Sequence, residues 1–392
     1  MRKYYKPEKQ FETNKYFNVV GSAIIILLGI LIYSNTFTCS FHFDDIIRIV
    51  DNTSIRQLWD IKTWWNYYPT RPVGIFTFVL NYHFNQLDVR YWHLVNLIIH
   101  LMNACLIWWL TILICSAPVL KNDPITRRKN VFAFFVALLF VSHPLATQSV
   151  TYIVQRFASL AAMFYLLSIA LYMKARIGNN NKRNKCLLLA GCVFFGVLAM
   201  LTKENAFTLP FALVIVENFF IRTGKFNINF KKPRVILILT IFLSIIIPIF
   251  IFLSSKILRP IVPINGTLYT ITPVNYFFTQ FSVIVKYIQL LFLPLNQNVD
   301  YDFPISDNFF EIRTFLSFLL LLSLVILAVL SFKRYRIISF GIFWFFLTLS
   351  VESSFIPISD LIFEHRTYLP SFGFFLILYS GLYELFRLIF YT

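Results

Sequence analysis

Phe41-His42-Phe43-Asp44-Asp45-Ile46-Ile47-Arg48 follows closely on an apolar run from Phe17 to Phe37. A run of that length crosses the hydrocarbon core of a bilayer as a helix. Arg2, Lys3, Lys6, Lys9 and Lys15 precede it, which places the N-terminus in the cytoplasm because cytoplasmic flanks collect positive charge. No small-residue cleavage site follows, so the run is expected to be a retained helix and not a removed signal peptide. Asp44 and Asp45 then emerge on the far side. An acidic pair at the mouth of a membrane helix is costly to hold in low dielectric and marks a catalytic or ion-handling site.

Composition extends this to the whole chain. Of 392 residues 58% are hydrophobic and only 14% charged, with too many long apolar runs for one soluble core. The net charge of +17 would suit a nucleic-acid binder, but the Lys and Arg residues lie in short clusters between apolar runs. Topology explains them better, and no nucleic-acid partner is expected. Of the five cysteines, none has CxxC spacing and four lie within or at the ends of apolar runs, so neither a disulfide framework nor a zinc site is indicated.

Further helices are expected from Trp92 to Cys115, Val131 to Phe140, Thr151 to Met173, Cys186 to Leu201, Phe207 to Ile221 and Val235 to Leu253. Three more follow, from Phe315 to Phe332, Ile337 to Leu349 and Phe372 to Phe390, for about ten spans by length. Basic turns at Lys121 to Lys129, Lys174 to Lys185 and Lys225 to Arg234 recur on the cytoplasmic side. The first extracytoplasmic loop, 38–91, is rich in Trp and Tyr and suits short interfacial helices. The stretch near 276–294 carries Gln280, Lys286 and Gln289. Letting it span would put Lys333-Arg334-Tyr335-Arg336 on the wrong side, so it is expected to be re-entrant or interfacial. The prediction is an all-α polytopic membrane protein forming one domain over 1–392, with extracytoplasmic segments 38–91, 254–313 and 352–371 and both termini cytoplasmic.

On this topology the unusual polar residues collect on one face: Asp44, Asp45, Arg71, His93, His143, Arg156, Lys203, Glu204, Glu364, His365 and Arg366. Each could instead satisfy a buried helix end. A carboxylate beside another has its pKa raised, which suits a general base acting near neutral pH. Arg71, Arg156, Lys203, His365 and Arg366 are cations able to hold a phosphate, Arg in bidentate fashion. Together they suggest a lipid-phosphate donor meeting a hydroxyl acceptor. A structural ion-pair network would use the same residues, and Lys203-Glu204 fits that network better.

The series Phe43-Asp44-Asp45, Tyr68-Pro69-Thr70-Arg71-Pro72 and His93-Leu94-Val95-Asn96-Leu97-Ile98-Ile99-His100 resembles the membrane domain of TMTC-type protein O-mannosyltransferases and their bacterial relatives. So do Ser142-His143-Pro144 with Gln155-Arg156, Thr202-Lys203-Glu204, and Glu364-His365-Arg366-Thr367-Tyr368-Leu369-Pro370-Ser371. The blocks keep the family's order from Phe41 to Ser371. The resemblance implies a GT-C glycosyltransferase taking a sugar from a polyprenyl phosphate, with inversion. It gives Asp44 the role of base with Asp45 in support, and puts Arg71, His143, Arg156, Lys203, Glu204, His365 and Arg366 on the donor side. His93, Asn96 and Lys286 are further candidates to line the site. Gln148 departs from the eukaryotic members, which carry an acid there. Those members also continue into lumenal tetratricopeptide repeats, which these residues lack, so the expected form is that of bacterial enzymes acting on pilin-like exported proteins.

The expectation is therefore a glycosyltransferase of the bacterial inner membrane, active on the periplasmic side. Its partners would be a polyprenyl-phosphate sugar, an exported acceptor protein or glycan, and the bilayer. Transfer to a lipid or surface polysaccharide is the alternative within that chemistry, and a transporter or flippase the alternative outside it. No cofactor is required. Asp300, Tyr301 and Asp302 offer hard oxygen ligands for a divalent metal, although capping the next helix uses them equally well. Asn265-Gly266-Thr267 matches an N-glycosylation sequon that carries little weight alone.

Overall fold

The computed structural model describes residues 15–223, 261–264 and 267–391. Outside them fall the expected helix from Val235 to Leu253, the basic residues Lys225, Lys231, Lys232 and Arg234, the N-terminal Arg2, Lys3, Lys6 and Lys9, and Asn265 and Gly266 of the sequon. The helices in order are α1 (Lys15–Ile32), α2 (Ile61–Tyr67), α3 (Pro72–Asn85), α4 (Val89–Cys115), α5 (Lys129–Ser142), α6 (Thr147–Thr151) and α7 (Arg156–Ile177). They continue as α8 (Lys182–Met200), α9 (Leu209–Val216), α10 (Pro273–Phe292), α11 (Ile312–Ser331), α12 (Arg336–Leu349) and α13 (Ser371–Tyr391).

Among the described residues seven helices are long and apolar enough to cross a membrane, and the bent pair Pro124–Ser142 with Pro144–Thr151 makes an eighth if it is one span. The chain is an all-α polytopic membrane protein, as its composition predicts. Arg336–Leu349, expected to span, is a shorter apolar helix. One element departs from the helical expectation: strands β1 (Ile261–Ile264) and β2 (Thr267–Thr270) pair antiparallel, with Ile261 opposite Thr270 and Ile264 opposite Thr267. Their Ile, Val, Thr and Tyr content favours extended backbone.

The first loop folds as expected into short helices, α2 and α3, after a π-helical turn at Ile46–Val50 and a 3₁₀ turn at Thr53–Arg56. Asp60 caps α2 by accepting the Thr63 N–H, and Pro72 starts α3 where its missing N–H costs nothing. Trp59 and Phe84 stand outward at 86% and 74% exposure, suiting an interface where one side is lipid.

In the bundle α7 is sandwiched between α4 and α8 and is the most buried of the candidate spans, while α5 packs against α4 and α13. Helix α10 does not qualify as a span. Near one end its Tyr276 Oη donates to the Glu352 carbonyl at 2.7 Å, and near the other the Leu291 carbonyl lies 3.0 Å from His143 Nε2. Both ends are tied to the end of the bundle that carries the acidic pair, which matches a helix lying across that end. Its Val283, Tyr287 and Leu290 are buried in the main core.

Helices α12 and α13 cross at Gly341 and Gly373, where a Cβ on either residue would collide with the other's carbonyl oxygen. The contact closes further where Trp344 Nε1 donates to the Leu369 carbonyl at 2.9 Å. Gly373→Ala should therefore destabilise the fold by about 1–3 kcal/mol, the usual cost of overpacking, visible as a lower midpoint of thermal unfolding in detergent. Gly381→Ala, where a Cβ would meet open space, serves as the control and should leave the midpoint unchanged or raise it slightly, since Ala is the better helix former.

Candidate active site

The site is built around a break between α5 and α7. Pro144 bars His143 from helical geometry, and His143 is extended at φ −73°, ψ 128°. The chain bends by 55° there and proceeds through short helical turns to Arg156. A break at this depth frees backbone carbonyls that water does not reach, at a cost of several kcal/mol each if left unpaired. One face of α4 meets them. His93, Asn96, His100 and Asn103 recur at spacings that align on a helix, and all four are at most 1% exposed. Asn96 Nδ2 donates to the Val150 and Ile153 carbonyls at 3.1 and 3.2 Å. Asn103 Nδ2 donates to Ser159 O at 2.8 Å, and His100 Nε2 lies 3.3 Å from Val141 O.

The fixed break in turn holds the acidic pair. The Asp44 N–H donates to Tyr152 Oη at 3.0 Å, and His42 stacks on the Tyr152 ring at 5.2 Å. Asp45 is fully buried. Its Oδ1 accepts the Val154 N–H at 2.8 Å and its Oδ2 the His42 N–H at 3.3 Å. Burial pushes its carboxyl up to about 6 against these stabilising bonds. Phe43, at φ 49° in the left-handed region, turns the backbone so that the two neighbours diverge. Asp44 is exposed, and among the described residues no hydrogen bond or ion pair engages its carboxylate. Asp45 anchors the motif and Asp44 presents a free carboxylate.

The cations divide by partner. Arg156 is fully buried and spends its N–H groups on Asn96 Oδ1 at 2.6 Å, Asn81 Oδ1 at 2.8 Å and Trp92 O at 3.1 Å, with its plane over Phe78 and Trp92. A longer bond from Nη1 to Thr77 O at 3.4 Å engages the fourth of its five N–H groups, so it braces α3, α4 and α7 together from a fully buried position. Arg71 clasps Glu204 with Nε 3.0 Å from both oxygens and Nη2 at 2.8 Å, tying the first loop to the turn before α9. Lys203 Nζ lies 2.7 Å from Glu352 Oε1. Burial lowers the Lys203 pKa while Glu352 opposes that shift.

Arg366 differs. It is 3% exposed and donates to the Asp360 and Leu361 carbonyls at 2.7 and 3.2 Å, with no carboxylate in contact among the described residues. Burial works against its charge, but Tyr287, Tyr276, Glu352 and Asp360 hold its pKa above the ordinary value. His365 donates both its backbone N–H, at 2.7 Å, and its Nδ1–H, at 2.9 Å, to Gln148 Oε1. The oxygen is assigned because Gln148 Nε2 donates to Val299 O at 3.2 Å. Burial, with Lys203, Arg366 and Arg71 nearby, holds His365 well below the ordinary imidazole range. It is neutral, with the Nε2 lone pair free. Glu364 accepts from Gln297, the Asn298 N–H and Tyr301 Oη, and so fixes the loop after α10.

Measured against the sequence, the residues expected on one face do meet at one end of the bundle, but their tasks differ from those the family resemblance implies. Asn96 and Arg156 are spent on scaffold bonds. His143 is likewise occupied, one nitrogen against Leu291 O and the other accepting the Leu145 N–H. His93 reaches Cys39 O at 3.1 Å while its Nδ1 is buried without a partner. Lys286 is half-buried on α10 and makes no hydrogen bond or ion pair among the described residues. Missed from the sequence were Tyr152, Gln280 and Glu352. Glu352, a lone acid at the edge of an apolar run, carried a legible signal, whereas Tyr152 carried none. No group of three or more His, Cys, Asp and Glu able to hold a metal occurs among the described residues, and Tyr301 of the proposed oxygen set is committed to Glu364.

Two outcomes follow from the anchoring. Arg156→Met should destabilise the chain by about 3–5 kcal/mol, as breaking a buried hydrogen-bonded polar network does, seen as loss of folded protein and not as a change in KM alone. The folded Asp45 carboxyl, at about 6, lies above its unfolded value of 3.8. Its contribution to stability is therefore full below pH 3.8 and is lost as pH rises through 6. Amide exchange of residues 42–56 between pH 4 and 7, corrected for intrinsic rates, should show this decline in wild type and not in Asp45→Asn.

No protein-family model matches the chain, and no solved structure matches it. It is 26% identical over 384 residues to the protein O-mannosyl-transferase F38B6.6 of Caenorhabditis elegans, covering 90% of this chain and 50% of that protein. It is 30% identical over 227 residues to Tmtc3 of Drosophila melanogaster and 29% over 224 residues to human TMTC1, both named protein O-mannosyl-transferases, covering 52% of this chain and 24% of each relative. The chain thus spans from about a quarter to half the length of these relatives. Its homologues are the TMTC-type protein O-mannosyl-transferases that its ordered motifs resemble.

Proposed function

We propose that this chain is an inverting membrane glycosyltransferase that moves a sugar from a polyprenyl-phosphate donor to a hydroxyl of an exported, pilin-like protein, on the periplasmic face of a bacterial inner membrane. The observation that carries the reading is the division within the acidic pair: Asp45 is buried and bonded, while Asp44 is exposed with an unengaged carboxylate. In the reaction the acceptor oxygen attacks the anomeric carbon and passes its proton to Asp44. The bond from that carbon to the phosphate oxygen breaks, and its electron pair leaves with the lipid phosphate. Arg366, a buried cation with no carboxylate in contact among the described residues, stabilises the charge developing there. The relatives, named protein O-mannosyl-transferases, support a protein acceptor and mannose as the sugar. Against a transporter stands the gathering of the charged residues of the site at one end of the bundle and not along a path through it.

Asp44→Asn should lower transfer of radiolabelled mannose from undecaprenyl-phosphate mannose by about 10²–10⁴-fold, the range of a lost general base, with folding and membrane insertion intact. Full activity in that variant would remove Asp44 from the mechanism. Mass spectrometry of exported proteins with and without the gene identifies the acceptor: loss of a hexose from one protein supports the reading, and loss from a glycolipid or polysaccharide alone moves the acceptor class.

A further inference from the structure

The segment that holds the acidic pair also holds, through Gln148 and His365, a buried polar cluster in which several side chains keep atoms without a partner among the described residues. Glu352 is 7% exposed and Gln280 1% exposed. Glu352 gives Oε1 to Lys203, and its Oε2 is buried with no hydrogen bond. Gln280 gives its Nε2 to the Leu361 carbonyl at 3.2 Å, which leaves its Oε1 buried and unbonded. The same carbonyl receives Arg366 Nη1, and Tyr276, one helical turn from Gln280, bonds the Glu352 backbone. His365, 5% exposed, has its Nδ1 fixed on Gln148 and its Nε2 lone pair open.

The unfilled valences are mainly acceptors; the exception is the Lys203 ammonium, whose Nζ is ion-paired to Glu352 but makes no hydrogen bond among the described residues, and a hydroxyl oxygen can accept from it. A carboxylate oxygen, an amide oxygen and an imidazole lone pair are all acceptors. A phosphate has no proton to offer them at neutral pH and would be repelled by Glu352. Lys203 does not reverse this, because its charge is balanced by Glu352 at 2.7 Å. A polyol fits: each hydroxyl supplies one proton, and each acceptor buried without one costs on the order of 1–3 kcal/mol.

We propose that Glu352, Gln280 and His365 read the hydroxyl groups of the donor sugar, so that this cluster sets sugar specificity and Arg366 alone of its charged members faces the phosphate. The proposal rests on the glycosyl-transfer reading above and adds which part of the donor each residue meets. Lys203 and His365, which the family resemblance places on the phosphate, move to the sugar. Gln148 becomes a positioning residue, holding the His365 ring so that a lone pair faces the hydroxyls.

The test is a set of selectivity ratios. The full chain in lipid nanodiscs is given undecaprenyl-phosphate mannose or its 2-, 3-, 4- or 6-deoxy analogues. Wild type should prefer the full sugar over at least one analogue by about 10-fold or more, because a missing hydroxyl leaves an acceptor orphaned. Glu352→Gln keeps an oxygen for Lys203 and turns the free acceptor into a donor. Gln280→Met removes the free acceptor without touching the ion pair. Each variant should collapse the ratio at one sugar position and leave the others unchanged, while undecaprenyl phosphate competes as in wild type. Should Glu352→Gln fail to fold, Gln280→Met decides by itself. Ratios unchanged in folded variants, or a wild type indifferent to every deoxy analogue, would overturn the proposal and leave the glycosyltransferase reading standing. No transfer by wild type from any donor would instead overturn that reading, and this one with it.

Discussion

The structure depends on a broken helix whose backbone had to be satisfied away from water. Where the chain turns at His143-Pro144 and restarts at Arg156, the freed carbonyls are met by the His and Asn face of α4. In a bilayer irregular backbone survives only when protein groups replace water in this way. Once pinned, the segment offers three groups outward: the Val154 N–H to Asp45, the Tyr152 hydroxyl to the Asp44 N–H, and the Gln148 amide to His365. The acid half and the polar-cluster half of the site, distant in sequence, are thus registered on one short stretch.

Buried charge at this end is mostly paired, and the exceptions are informative. Lys203 with Glu352 is a buried matched pair and Arg71 with Glu204 a half-buried one; the buried pair defines geometry more than it stabilises, since desolvation consumes much of the Coulomb gain. Arg156 is neutralised by dipoles and ring faces together with the nearby Asp45. Asp44 is free because it is exposed, and Arg366 lacks a carboxylate because backbone carbonyls and tyrosines hold it. A reaction that separates a proton from a hydroxyl and charge onto a phosphate needs one group of each kind left unspent.

Fold class was legible in the sequence because membrane insertion imposes a coarse rule: length and hydropathy of a run settle whether it spans, with no knowledge of its neighbours. The runs ending at Phe37 and Cys115, and those leading to Ile221 and Phe390, were therefore readable one at a time. So was the exclusion of the 276–294 stretch, through its internal Gln and Lys and the charge cluster after the next helix. The strands at Ile261–Ile264 and Thr267–Thr270 were not, being too short for any periodicity to register.

The sequence by itself determined which residues are chemically expensive in a membrane, and hence where the site would be: a charged or amide side chain carries its cost wherever the fold puts it. Only the tertiary structure decided which of those residues are consumed and which are left over. Asp44 and Asp45 are chemically identical neighbours, yet Phe43 in the left-handed region and the N–H groups of Val154 and His42 accompany the burial of one and the exposure of the other. Arg156 and Arg366 are the same residue type, but Asn96 and Asn81 bond the first while main-chain carbonyls bond the second. A hydrogen bond forms between groups brought within about 3 Å across long sequence separations, a distance that no local pattern encodes.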